Sequence, residues 1–291
     1  MKNIIVIGKS GQLAHALKLL NAQVHCLGRD DIDITDASSM STTLDSFSAQ
    51  TIINASAYTA VDQAEADKDK AFLLNQHAVE NLAKYCQQKG IFLVHVSTDY
   101  VFAGSKGAPY LVNDSIAPQG VYGQSKAAGE QALLRILPDN STIIRTSWVY
   151  SSHGNNFVKT MLRLMAEKPA LKVIDDQIGS PSAAYSLAEA CIEAGIQQHT
   201  GIYHWSDEGV CSWYDFACAI QELGIEKGLL SKAIPITPIP SSDYPTPATR
   251  PTYSVLDKTN TRKQFSTRAL HWRVQLSRVL DTLTLHLENT P

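Results

Sequence analysis

Tyr122 and Lys126 stand four residues apart in the segment VYGQSKAAGE, and Thr98 precedes Tyr122 by 24 positions in STDYVF. On a helix, residues four apart share a face. Tyrosine alone is a poor acid–base group near neutrality, because its free pKa is about 10. A neighbouring ammonium favours the phenolate and lowers that value. The pair therefore reads as a tuned proton donor, and a threonine hydroxyl beside it can hydrogen-bond a substrate oxygen. A second chemical feature lies at the start of the chain, where a short apolar run ends in Gly8-Lys9-Ser10-Gly11-Gln12-Leu13-Ala14. A glycine turn between a strand and a helix lets the backbone approach a pyrophosphate. The helix N-terminus there offers free N–H groups and a positive dipole end. Y-x-x-x-K alone is common by chance; it gains weight from the strand-end Ser-Thr-Asp and the glycine turn.

The elements that must position these groups alternate in the first half. Apolar, strand-like runs fall at 3–8, 23–28, 50–55, 92–97 and 141–146, and helical signals at 11–20, 68–88 and 122–137. The stripe Ala71, Leu74, Ala78, Leu82 and Tyr85 gives the second of these helices its period. Such β-α-β-α order with apolar strands predicts a parallel sheet covered on both faces. The fold class expected is α/β: a Rossmann-type doubly wound parallel sheet with a smaller C-terminal α/β substrate lobe. Beyond 147 the pattern changes, with helices at 156–168, 183–194, 211–223 and 276–287 and a strand at 201–205. Pro235, Pro238, Pro240, Pro245, Pro247 and Pro251 exclude long helices from 234–251. The division expected is a nucleotide-binding domain over 1–147, with about 156–168 and 201–205. About 169–200 and 206–291 form the substrate-binding lobe.

In a doubly wound sheet, ligands bind outside the carboxyl ends of the strands. Gly11 then lets the backbone approach the pyrophosphate, and Ala14 takes the place of a third, packing glycine. Arg29 at the tip of the second strand favours a 2'-phosphate and so NADPH; the adjacent Asp30 keeps NADH possible. Asp33 and Ile34 can flank the adenine, and the small residues Ala55, Ser56 and Ala57 leave room for the cofactor across the strand ends. Trp148, after the STIIRT strand, either stacks on a sugar or base or packs between lobes. Arg250 either binds a diphosphate or is a surface charge, and Asn75 either joins a water relay behind Lys126 or packs helices. His95 and His204 lie within apolar strands and read as core histidines.

Composition narrows the classes. The chain has 291 residues, 44% hydrophobic, with a net charge of -3. No basic stripe points to nucleic acid, and no run of eighteen apolar residues points to a membrane span. The first apolar run ends in a glycine turn rather than a small-residue cleavage site, which argues against a secretory leader. Cys26, Cys86, Cys191, Cys211 and Cys218 are scattered and odd in number, so neither a disulfide framework nor a zinc site is indicated, and a cytoplasmic location is expected.

The chain resembles the extended short-chain dehydrogenase/reductases, and within them the dTDP-4-dehydrorhamnose reductase family. The resemblance rests on GKSGQLA (8–14), NASAYTAVDQAE (54–65), STDYVFAG (97–104), VYGQSKAAGE (121–130), RTSWVY (145–150), GNNFVKTMLRL (154–164), DDQIGSP (175–181) and YPTPATRP (244–251). It implies Tyr122 as general acid, Lys126 as its partner and Thr98 as the third catalytic hydroxyl. It implies Gly11, Gln12 and Leu13 at the cofactor pyrophosphate, with Gly8 and Ser10 beside them, Ala57, Tyr58 and Thr59 along the cofactor, and Thr98, Asp99 and Trp148 facing a nucleotide sugar whose 4-keto group is reduced. A homodimer is compatible with the resemblance. Some relatives hold magnesium at C-terminal carboxylates, for which Glu189 and Glu288 are the candidates here; no metal site is assigned. Two alternatives stand beside this reading. One is another nucleotide-sugar enzyme, an epimerase or dehydratase; a dehydratase uses a Thr-Asp-Glu run, but Tyr100 follows Asp99 here. The other is a non-catalytic NADP-binding subunit like that of methionine adenosyltransferase.

Overall fold

The computed structural model describes residues 3–21 and 23–288, with side chains of the last helix described to residue 285. Five strands of the first half, β1 (Ile4–Ile7), β2 (His25–Leu27), β3 (Thr51–Asn54), β4 (Phe92–Thr98) and β5 (Ser141–Thr146), join strand Gly201–Trp205 in one sheet. The order is Gly201–Trp205, β5, β4, β3, β1, β2, and every pairing is parallel. All residues of β1, β3 and β5 are buried, as both-face coverage demands of apolar, β-branched runs. Helix α1 (Gln12–Leu20) and helix Ala184–Gln197 cover one face, with Leu13, Leu17 and Leu187 meeting Val6, Ile53 and Val94. Helix Ala78–Lys89 covers the other, with Leu82 and Cys86 against Ile5, Ile52 and Leu93.

The strand order reverses between β1 and β3, which places the crevice of a doubly wound sheet beyond their carboxyl ends. Gly8 and Ala55 sit there. The Ala55 N–H donates to the Ile7 carbonyl at 2.9 Å.

A second core gathers helices Phe157–Glu167, Trp213–Glu226 and Trp272–Glu288 with the parallel pair Leu171–Ile174 and Ile236–Ile239. By packing, we assign helix Phe157–Glu167 to this lobe, since Val158, Met161 and Met165 lie in its core. We assign helix Ala184–Gln197 to the sheet. This reverses the sequence-based division at both helices, because periodicity reports an apolar face but not which surface covers it. Pro238 sits in register with Val173 in a two-stranded pair, a position that spares its missing N–H.

Two local features escape the sequence patterns. Helix Ala37–Leu44 is rich in serine and threonine; Asp36 caps it by accepting from the N–H groups of Ser38 and Ser39. The single helix expected over 68–88 is broken by a π-helical turn at Leu73–His77, a form that recurs at functional sites. Among the described residues, no helix is long and apolar enough to cross a membrane.

Candidate active site

β4 runs into a tight turn at Asp99–Val101, capped by Thr98, whose Oγ1 accepts from the Tyr100 N–H at 3.2 Å. The same hydroxyl donates to Asp99 Oδ1 at 3.0 Å. Asp99 is buried, and burial pushes its carboxyl up to about 6, with hydrogen bonds from Ser254 and Thr98 pulling the other way.

Helix Val121–Ile136 presents Tyr122 at its start. Glu65 Oε1 accepts from the Val121 N–H at 2.9 Å, placing a carboxylate at the positive end of the helix. Two glycines let this helix come close. A Cβ on Gly123 would lie 2.3 Å from the Tyr100 carbonyl, and one on Gly129 would lie 2.0 Å from that of Asn75. Tyr122 meets Tyr100 edge-on, with ring centroids 5.6 Å apart. Its phenol is pushed up to about 12 by burial; a hydrogen bond with Thr98 opposes this and the Asp99 charge adds to it.

Lys126 is buried, and its Nζ donates to the Val96 carbonyl at 2.7 Å and lies 3.4 Å from His95 Nε2. Burial lowers it to about 8, with Glu130 opposing. The expectation of a phenol depressed by a neighbouring ammonium is therefore corrected for the protein alone. Burial acts on both groups and disfavours the charge of each. Glu130 itself is held by Arg145 of β5, with Arg145 Nη2 to Glu130 Oε2 at 2.7 Å and Nε to Oε1 at 3.0 Å.

The glycine turn is built for close approach by a ligand. Gly8 adopts φ +123°, a conformation that side chains rarely adopt, and a Cβ there would press on the Ala55 backbone at 3.3 Å. A Cβ on Gly11 would meet nothing within 4 Å, so the first turn of α1 faces open space. These residues, with Ala55 and Ala57 at the end of β3, fit a dinucleotide. Leu13 is buried in the core, so only its backbone can face such a ligand. Gln12 is held from the far side: its Oε1 accepts from Ser151 Oγ at 3.0 Å and from Asn156 Nδ2 at 2.9 Å. The GNN segment thus ties the lobe to the turn, and His153 Nε2 approaches the Ser10 carbonyl at 3.3 Å.

The remaining expected residues divide. Arg29 is exposed at the β2 tip beside Asp30. Asp33 accepts from both the N–H and the hydroxyl of Thr35, closing its own turn, while Ile34 is buried. Tyr58 sends its hydroxyl to Asp67 at 3.1 Å and is buried, and Thr59 is exposed. Asn75 is neither a free relay group nor a plain packing residue: it bonds Tyr58 N, Tyr58 O and Ser125 Oγ. Trp148 stacks on Trp213 with centroids 3.5 Å apart and sits at φ +49°. One ring face is thus used for packing between lobe elements. Arg250 forms a two-pronged pair with Asp62, Nη1 to Oδ1 at 2.9 Å and Nη2 to Oδ2 at 2.7 Å. His204 is buried, with Nδ1 3.0 Å from the Asp257 carbonyl. Sequence reasoning missed Asp62, Glu65 and Ser254. The first two lie inside the segment VDQAE, where only partners distant in sequence reveal their tasks. Among the described residues, no group of three or more His, Cys, Asp or Glu could hold a metal ion; the side chain of Glu288 lies outside them.

The model of the RmlD substrate binding domain matches residues 1–285. The chain is 40% identical to dTDP-4-dehydrorhamnose reductase of Aggregatibacter actinomycetemcomitans, covering 96% of this chain and 98% of that protein. It is 37% identical to the enzyme of the same name from Escherichia coli, covering 97% and 98%. The crystal structure of Bacillus anthracis dTDP-4-dehydrorhamnose reductase in complex with NADP superposes with a TM-score of 0.90 at 33% identity, covering 97% of this chain and 99% of that one.

Proposed function

From the premise that the chain belongs to the RmlD substrate binding domain family, we propose that it reduces the 4-keto group of dTDP-4-dehydro-L-rhamnose with NAD(P)H, giving dTDP-L-rhamnose. The observation that carries this reading is the grouping of Thr98, Tyr122 and Lys126 at the carboxyl end of β4, in a sheet whose switch point holds the Gly8–Gly11 turn. Ligands of doubly wound sheets bind at that edge. The names of the relatives support the sugar nucleotide, and the NADP in the Bacillus anthracis structure supports the cofactor.

When bound, the cofactor supplies a hydride. Gly8, Ser10, Gly11 and the backbone of Leu13 hold its pyrophosphate, Ala55, Ala57 and the Tyr58 backbone line its path, and Arg29 serves a 2'-phosphate. Thr98 hydrogen-bonds the O4 atom of the sugar and orients it. Tyr122 then gives its proton to O4 as negative charge develops there, which is general-acid work. The Tyr122 phenol carries its proton at neutral pH, the state that general-acid work requires. Asp99 and Trp148 border the sugar nucleotide, and Arg250 faces its diphosphate from the Asp62 pair. Tyr100 follows Asp99, so the second carboxylate of a dehydratase pair is missing and the outcome is net reduction. We place the reaction in the cytoplasm, in keeping with five free cysteines.

The test is turnover of dTDP-4-dehydro-L-rhamnose, generated by its epimerase, with NADPH and NADH in turn. Stoichiometric loss of NAD(P)H absorbance is expected, with NADPH preferred. Oxidation of neither cofactor would reject the reading.

A further inference from the structure

The segment Gly154-Asn155-Asn156 closes around one side chain of the cofactor turn. Gln12 opens α1, with Gly11 as its cap. The first N–H groups of a helix have no intrahelical partner, so the Gln12 backbone belongs to the pyrophosphate seat while its side chain reaches the other lobe. Gln12 Nε2 donates to the Val149 carbonyl at 3.4 Å. A carbonyl can only accept, so the amide oxygen takes the opposite side. There Asn156 Nδ2 donates to it at 2.9 Å, and Ser151 Oγ lies 3.0 Å away. Gly154 sits at φ +69°, a conformation that side chains rarely adopt, and a Cβ built there would stand 3.4 Å from Gln12 Cγ. Asn156 has a second task. Its Oδ1 accepts from the Lys159 N–H at 3.2 Å and caps helix Phe157–Glu167, so the clasp is anchored in the core of the substrate lobe. A parallel contact joins the same parts: His153 stacks on His15 of α1, with centroids 4.1 Å apart.

The clasp ends beside Trp148. The Val149 carbonyl that Gln12 holds belongs to the next residue in the chain. Trp148 sits at φ +49°, and a non-glycine residue stays there only where its surroundings over-determine it. Those surroundings are the Trp213 stack, the Ser182 N–H donating to the Trp148 carbonyl at 3.2 Å, and the Gln12 amide one residue on. Gly179 adds to them, since a Cβ on it would lie 2.7 Å from the indole. Resting on the reductase reading above, we propose that Gln12 is a positioning residue: through its clasp with Ser151, Gly154 and Asn156 it couples the pyrophosphate seat to Trp148, the ring that borders the nucleotide sugar. A pyrophosphate on the α1 N-terminus fixes the Gln12 backbone, and the amide carries that order to Val149 and Trp148. The second ligand then meets a segment already ordered, which gives positive coupling without a change of fold. By reciprocity, the nucleotide sugar tightens the cofactor by the same factor.

The experiment measures this coupling in the full-length protein with dTDP and NADP+, a pair that cannot react. Calorimetry gives the Kd for dTDP without cofactor and at saturating NADP+. In the unsubstituted chain NADP+ should tighten dTDP about tenfold. Gln12→Met keeps the length and loses the amide; Asn156→Asp keeps the helix cap and loses the donor. In both, with folding verified by circular dichroism, the ratio of the two Kd values should fall to about two or less. A merely structural role would weaken dTDP binding with and without cofactor alike and leave the ratio in place. A ratio near one in the unsubstituted chain, or an undiminished ratio in either variant, overturns the proposal. Hydrogen exchange of the amides of 148–156 needs no dTDP: saturating NADP+ should slow it in the unsubstituted chain and not in the variants. Failure of dTDP to bind the unsubstituted protein would reject the reductase reading. The exchange comparison would then decide the coupling, and equal slowing in all three proteins, or none in the unsubstituted chain, would overturn it.

Discussion

Asn75 grips both backbone polar groups of Tyr58: its Oδ1 accepts from the Tyr58 N–H at 2.8 Å, and its Nδ2 donates to the Tyr58 carbonyl at 3.1 Å. The same amino group reaches Ser125 Oγ at 2.9 Å, on the helix that carries Tyr122 and Lys126. One buried amide thus ties the loop after β3 to the catalytic helix. Asn75→Leu should weaken NADPH binding about tenfold, since it leaves the Tyr58 backbone N–H and carbonyl without their partner. Isothermal titration calorimetry checks this; an unchanged Kd would show that the loop holds its shape without the clamp.

Gly123→Ala probes placement of the acid rather than its chemistry. The added Cβ would lie 2.3 Å from the Tyr100 carbonyl, so the helix or the turn must shift. A displacement near 1 Å can cost about a hundredfold in rate. Steady-state kinetics should show kcat falling by about that factor with NADPH affinity little changed.

Much of this arrangement is legible in the sequence. The strands at 141–146 and 201–205 and the catalytic helix follow from apolar runs and period, and the Gly8–Gly11 turn from its place between strand and helix. What is hidden depends on partners far along the chain. Asn75 shows nothing of Tyr58 or of the π turn, which arises where Gly129 lets two helices nearly touch. Asp62 shows nothing of Arg250, 188 residues away. The depressed phenol expected from Tyr122-x-x-x-Lys126 fails for a similar reason: spacing reports proximity, whereas burial raises the phenol and lowers the ammonium.

The Glu130–Arg145 pair should be a stability determinant. Both side chains are at most 3% exposed, and the contact is two-pronged. Removing one partner of such a pair leaves a buried charge and costs about 3–5 kcal/mol. Arg145→Met should lower the urea midpoint accordingly, while Glu130→Gln, which keeps hydrogen bonds and shape, should cost less.

Asp99 predicts a trade of stability for function. Its folded pKa, about 6, lies above the ordinary carboxylate value of 3.8. Between those values the native state binds more protons than the unfolded one, so this group's contribution falls as pH rises through that window. Asp99→Asn should therefore raise Tm at pH 8 and have little effect at pH 4, with kcat reduced. Scanning calorimetry at the two pH values decides; an equal change at both would reject the account of Asp99.

The reading of Arg250 is tested through its partner. Asp62 holds the guanidinium by both prongs, and the pair keeps the Asp62 carboxyl below its usual range. Asp62→Asn should raise KM for the nucleotide sugar several-fold with KM for NADPH unchanged, because the guanidinium loses its aim rather than its charge. Equal effects on both KM values would point to a general loosening of the crevice.

The most direct measurement is Tyr122→Phe, assayed for reduction of dTDP-4-dehydro-L-rhamnose alongside NADPH binding by fluorescence. Loss of a general acid should lower kcat by about 10²–10⁴-fold, with the Kd for NADPH within a few-fold of the unsubstituted protein. Turnover within tenfold of the unsubstituted protein would contradict the assignment of Tyr122 as the proton donor.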